Sequence, residues 1–120
     1  MEKVLNKRFP NKRVVITGAG SGLGRALAVD FAGLGWSVGV NDIDLARAEE
    51  TLGLVEKKGG KGFAVKGDVA KWTDVSALAD EALAQFKGAD IVVNNAGIVA
   101  AGTMEKIPIE DWQWIVDINL

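Results

Sequence analysis

The run TGAGSGLGR, Thr17 to Arg25, sets four glycines into eight positions directly behind the apolar stretch Arg13-Val14-Val15-Ile16. Glycine loses more backbone freedom on folding than any other residue, so such a cluster marks a sharp turn or a close approach. A tight strand-to-helix turn alone needs one or two glycines. Four point to a loop wrapped around a ligand. The loop follows a strand and opens a helix, where free N–H groups and a partial positive charge suit an anion, phosphate above all.

Spacing narrows the kind of phosphate site. A P-loop ends in Gly-Lys-Ser/Thr, whereas this loop ends Gly24-Arg25-Ala26. The G-x-G-x-x-G register also fails, because it reaches Leu23 from Gly18 and Arg25 from Gly20. What stands here is T-G-x-x-x-G-x-G, on Thr17, Gly18, Gly22 and Gly24.

The rest of the chain alternates short β-rich runs with stretches of helical period. Strands are expected at Arg13–Thr17, Ser37–Asn41, Gly62–Lys66 and Ile91–Asn94. The first helix runs from about Gly22 to Leu34, with Leu23, Leu27, Phe31 and Leu34 at helical spacing and Gly35 as its stop. Leu45, Ala48, Leu52 and Val55 mark the inner face of the second, which ends near Lys57-Lys58-Gly59-Gly60. Thr73 is read as the N-cap of the third, whose stripe is Val75, Leu78, Ala79, Ala82 and Phe86. Pro108 opens the last, through Ile109, Trp112, Val116 and Asn119. Within it, Trp112 is expected in the core, and Trp114, about 200° around the helix, is expected to face outward.

This order predicts an α/β fold: a Rossmann-like, doubly wound parallel sheet in the order 3-2-1-4, as one domain over 1–120. The fourth strand, Ile91-Val92-Val93, is then an apolar edge prone to aggregate.

Composition excludes whole classes of chemistry. The 120 residues contain no Cys, His or Tyr, which rules out disulfides, zinc–thiolate sites and Ser-His-Asp or Cys-His hydrolysis. The formal net charge of -2 gives no footprint for nucleic acid or anionic lipid. The charged start MEKVLNKRFPNKR lacks the apolar region of a secretory signal, and no run is long enough to span a membrane. A cytoplasmic protein is the default expectation.

Four motifs in order carry a resemblance. Thr17-Gly18-x-x-x-Gly22-x-Gly24, Asp68-Val69 after the third strand, Asn94-Asn95-Ala96-Gly97 at the end of the fourth, and Asn119 resemble the signatures of the short-chain dehydrogenase/reductase family, from about Phe9 onward. The resemblance implies a cofactor site on Gly18, Ser21, Gly22, Leu23, Gly24, Asp42, Asp68, Val69, Asn95, Ala96 and Gly97. It gives Asn94 a structural role between strands, and Asn119 a catalytic role holding a water in a proton relay.

Asp42 closes the second strand about twenty residues past the loop, where a carboxylate accepts the ribose hydroxyls of NAD and repels the extra phosphate of NADP. NAD is therefore expected rather than NADP. Arg25, inside the helix, is read as solvated or salt-bridged.

The family's chemistry is hydride transfer between nicotinamide and an alcohol or carbonyl substrate, with a tyrosine in Y-x-x-x-K and a serine. With no tyrosine, the chain is expected to be the cofactor-binding N-terminal part, inactive alone, of a dehydrogenase that is a homo-oligomer, dimer or tetramer, at full length. The last helix, with Trp114, is a candidate subunit contact. Two alternatives stay open: a non-catalytic dinucleotide-binding or sensor domain, and a Rossmann-fold methyltransferase, against which the glycine spacing and Asn-Asn-Ala-Gly argue.

Overall fold

A computed structural model places the four apolar runs side by side in one parallel sheet, β1 (Arg13–Ile16), β2 (Ser37–Asp42), β3 (Lys61–Lys66) and β4 (Ile91–Val93). The structure describes residues 2–98 and 106–119. The order is β3-β2-β1-β4, as expected. Val15 stands opposite Gly39 on β2 and Val92 on β4, and Gly39 in turn opposite Phe63 on β3. Among the described residues, five helices accompany the strands: α1 (Glu2–Arg8), α2 (Gly22–Gly33), α3 (Leu45–Lys57), α4 (Trp72–Phe86) and α5 (Ile109–Asn119).

Alternation along the strands divides the core between the two faces of the sheet. Val14, Ile16, Val38 and Val40 pack with Ala28 and Ala32 of α2 and with Ala48 and Val55 of α3, all fully or almost fully buried. The opposite face holds a thinner cluster, Val15 and Phe63 against Leu78 and Ala82 of α4. Gly39 makes that face possible, since a Cβ there would stand 2.5 Å from the Phe63 ring. Toward β4 the cover runs out: Val92 is 58% exposed, and Leu83 beside it is exposed too.

The N-terminal helix α1 is not foreseen from the pattern. Seven residues are too few to be stable alone, and tertiary packing holds them. Leu5 and Phe9 pack against the core at Trp36, whose indole Nε1 donates to the Asn6 side-chain oxygen at 3.1 Å.

Helix α4 corrects a second expectation. Its N-cap is Lys71, with extended backbone, and not Thr73. The carboxylate of Asp74 accepts the Asp68 N–H at 2.9 Å, and the Lys71 carbonyl accepts the amides of Asp74 and Val75. That ties the preceding loop down two residues earlier than a Thr73 cap allows.

At the other end of the sheet, Arg13 binds Asp90 through its main-chain amide and its guanidinium, at 3.0 Å each. This joins the start of β1 to the start of β4. The paired guanidinium holds the Asp90 carboxyl below the ordinary carboxylate value, against the cost of its desolvation.

Candidate functional site

Reversal of the strand order falls between β1 and β4, and in open parallel sheets that is where the crevice beyond the strand ends receives a ligand. Here the glycine loop leaves β1, Asp42 ends β2, Gly67 and Asp68 follow β3, and residues 94–98 follow β4. A cleft of about 340 Å³ opens among them. Gly18, Ser21, Asp42, Asp68, Val69, Asn95, Ala96 and Gly97, expected together from the motifs, all line it.

The remaining loop residues sit beside the cleft. Gly22 has φ +55° and faces open space, and Leu23 is exposed on the first turn of α2. Gly24 is buried, and a Cβ there would lie 2.6 Å from the Gly18 carbonyl oxygen and 2.5 Å from the Asn95 amide nitrogen. Ser21 is the N-cap residue of α2, yet its hydroxyl makes no capping hydrogen bond. The first amides of that helix therefore receive nothing from their own cap.

Gly18 adopts φ +61°, a left-handed conformation costly for any residue with a Cβ. A Cβ would also stand 2.8 Å from the Ala96 Cα. Thr17 and Asn95 hold this close approach together. The Thr17 hydroxyl accepts the amides of Asn95 and Ala96 at 3.1 Å each, and the Asn95 side chain donates to the carbonyls of Thr17 and Gly18 at 3.1 Å each. The tie between strand ends is therefore Asn95, not Asn94 as expected. Strand β4 stops at Val93, and the Asn95 amide turns back onto the Val93 carbonyl, which points its side chain at the loop. Asn94 lines a neighbouring cavity instead.

Asp42 is buried, at 9% exposure, and both its oxygens are engaged. Oδ1 accepts the Gly20 amide at 3.1 Å and Oδ2 accepts the Asp44 amide at 3.0 Å. Asp44, not Asp42, caps α3, accepting from the Arg47 amide. Arg25 is salt-bridged, as expected: it reaches Glu50 at 3.1 Å, Thr51 at 2.9 Å and the Gly20 carbonyl at 2.7 Å, pinning the loop to α3. Asp68 accepts the Ala70 amide at 2.9 Å in a tight local turn.

Asn119 lies outside the cleft, on the wall of a second cavity of about 550 Å³ that shares Val69, Ala96 and Ile118 with the first. Its side chain pairs with both main-chain atoms of Ile98 at 2.9 Å, donating to the oxygen and accepting from the N–H.

Of the two tryptophan expectations on α5, the one for Trp112 is corrected. Trp112 is not core but 53% exposed, because α5 carries no buried residue among those described. Trp114 is exposed, as expected, and it also lines the cleft, one helical turn before Ile118. Pattern reading also missed Gly20 and Arg47. A glycine beyond the spaced motif was the available signal for Gly20; Arg47 enters the cleft only because α3 starts at Leu45.

The profile of the short chain dehydrogenase family matches residues 12–120. The chain belongs to that family. Among relatives, the family's "Cyclohexanol dehydrogenase" of Acinetobacter sp. (strain SE19) is 38% identical over 121 residues, covering 100% of this chain and 48% of that protein. The "3beta-hydroxysteroid dehydrogenase 1" of Eggerthella lenta is 44% identical over 110 residues, 91% of this chain and 42% of its own. A solved 7 alpha-hydroxysteroid dehydrogenase, complexed with NADH and 7-oxo glycochenodeoxycholic acid, superposes with a TM-score of 0.86 at 36% identity, over 91% of this chain and 42% of that one. The chain thus spans less than half the length of these short chain dehydrogenases.

Proposed function

We propose that the chain is the NAD-binding part of an oxidoreductase acting on an alcohol or carbonyl substrate. The observation that carries this reading is the convergence of the glycine loop, Asp42, Asp68 and Asn95–Gly97 on one cleft at the strand-order reversal. The residues present fit a dinucleotide. The α2 amides left without a side-chain cap suit the pyrophosphate, and Gly18 lines the cleft in a left-handed conformation where a Cβ would push Ala96 out of place.

Each carboxylate oxygen of Asp42 has two lone pairs and spends one on a backbone amide. One remains on each, matching the two ribose hydroxyls of NAD. A 2′-phosphate brings no such donor at neutral pH and adds like charge. At about 4 Å and an effective dielectric of about 20, each like-charge pair costs about 4 kcal/mol. Arg47 stands nearby, but its side chain is 62% exposed and drawn toward Asp44, so solvent screens its attraction for a phosphate. Asp42 decides, and NAD is preferred.

When bound, the nicotinamide would supply a hydride acceptor or donor. Around it, Asn95–Gly97 would hold the adjoining ribose. Asn119 would keep Ile98 in place at the border of the second cavity, where a substrate's reacting carbon would sit.

No described helix is long and apolar enough to cross a membrane. A cytoplasmic homo-oligomer is the setting that accords with this reading.

Calorimetric titration tests it. NAD should bind, NADP should bind at least about tenfold more weakly, and S-adenosylmethionine should give no heat. Asp42→Asn should narrow the NAD-over-NADP ratio. Equal binding of the two dinucleotides would refute the role given to Asp42, and preference for S-adenosylmethionine would refute the oxidoreductase.

A further inference from the structure

We infer that Trp114 is the surface on which the adenine of a bound dinucleotide stacks, a role that rests on the cleft being a dinucleotide site. Asp42 marks where the adenosine ribose sits, so the attached base must lie next to it. The cleft residues available there are Asp68 and Val69 from the β3 side and Trp114 and Ile118 from α5. Asp68 and the Val69 backbone present polar atoms suited to the edge of a purine. A purine also has two apolar faces, and these bind best to a flat aromatic or aliphatic surface.

Trp114 is the aromatic residue that lines this cleft among those described, with Ile118 four residues on and so on the same helical face. At 49% exposure, its indole is not consumed by the core. Helix α5 buries no described residue, so its packing does not enclose the indole. Trp112, two residues away, is equally exposed and lines no part of the cleft, which makes it the natural control.

The test is a set of titrations on the purified protein. Trp114→Ala should lose about tenfold in affinity for both NAD and adenosine monophosphate, and nothing for nicotinamide mononucleotide. Trp114→Phe should recover most of the loss, and Trp112→Ala should bind all three as the unaltered protein does. In the unaltered protein, adenosine monophosphate should quench indole emission, and that quench should vanish in Trp114→Phe. Unchanged adenosine monophosphate binding in Trp114→Ala, or an equal loss on nicotinamide mononucleotide, overturns the stacking role alone. If Trp114→Ala does not fold, a quench that persists in Trp114→Phe overturns it. An unaltered protein that binds neither NAD nor adenosine monophosphate overturns the dinucleotide reading as well.

Discussion

The Gly20 amide donates to Oδ1 of Asp42 at 3.1 Å in a buried setting, so the glycine loop and the acid that closes β2 are one unit. Twenty-two residues separate them in the chain. Gly20 is also the position where a side chain has no room: a Cβ would stand 2.6 Å from the Asp42 Cγ and 2.8 Å from the Arg47 Cβ.

Gly20→Ala should therefore displace the Asp42 carboxylate while leaving the fold in place. NAD affinity should fall about tenfold, the loss of one good hydrogen bond, with a smaller effect on NADP. Calorimetry with both dinucleotides checks this; unchanged NAD binding would show that Asp42 does not depend on the loop.

Gly18→Ala should destabilise the protein by about 2–4 kcal/mol, combining left-handed backbone strain with a collision against Ala96 backbone. Gly53 is the contrast, a helical glycine of α3 with nothing within 4 Å of its missing Cβ. Gly53→Ala should stabilise by about 0.5–1 kcal/mol. Denaturant melts of the two variants should move in opposite directions.

Thr17→Val leaves the Ala96 amide without its acceptor and the Asn95 amide with the Val93 carbonyl alone, and Asn95→Ala removes the tie back to the loop. Each should cost about 1–3 kcal/mol. Because both act on one junction, the double variant should cost less than the sum by about 0.5–2 kcal/mol. Strict additivity in a double-mutant cycle would mean the two residues act independently.

The Arg13–Asp90 pair makes stability depend on pH. The folded-state pKa of Asp90 is lowered from its ordinary 3.8, so its contribution is complete above the unfolded value and fades as pH falls through the folded one. The stability advantage over Asp90→Asn should be full at about pH 6 and should shrink steadily below about pH 4. An advantage that instead grew on acidification would refute the pairing.

Strand β4 leaves Ile91–Val93 at the sheet edge with Val92 and Leu83 uncovered. Produced as 120 residues, the chain should self-associate or precipitate. Val92→Lys should reduce this by placing charge at the edge. Sedimentation of a monodisperse monomer by the unaltered chain would count against the prediction.

Strand order and the cluster at the strand ends were legible because each depends on local pattern: an apolar run, then the polar residue that closes it. Asp42 is such a residue. Choosing between Asn94 and Asn95 was not local, since it turns on where β4 stops and how the chain bends back to Val93. Likewise, which side of α5 meets the protein depends on Asn119 gripping Ile98, a contact between residues 21 apart, so the periodicity that suggested Trp112 for the interior had no partner to act on. Lys71 stands at the cap where Thr73 was expected, because its carbonyl already accepts the Asp74 and Val75 amides and the helix so begins at Trp72. Helix α1 is shorter than anything periodicity detects, and Trp36 accounts for it.

The junction of Thr17 with Asn95 spans 78 residues of chain. During synthesis the glycine loop emerges early, but the partner that shapes it is delivered only after β4 has left the ribosome. A nascent polypeptide shorter than that has no finished junction, so the cleft at the strand ends can take shape only late in this protein's biogenesis.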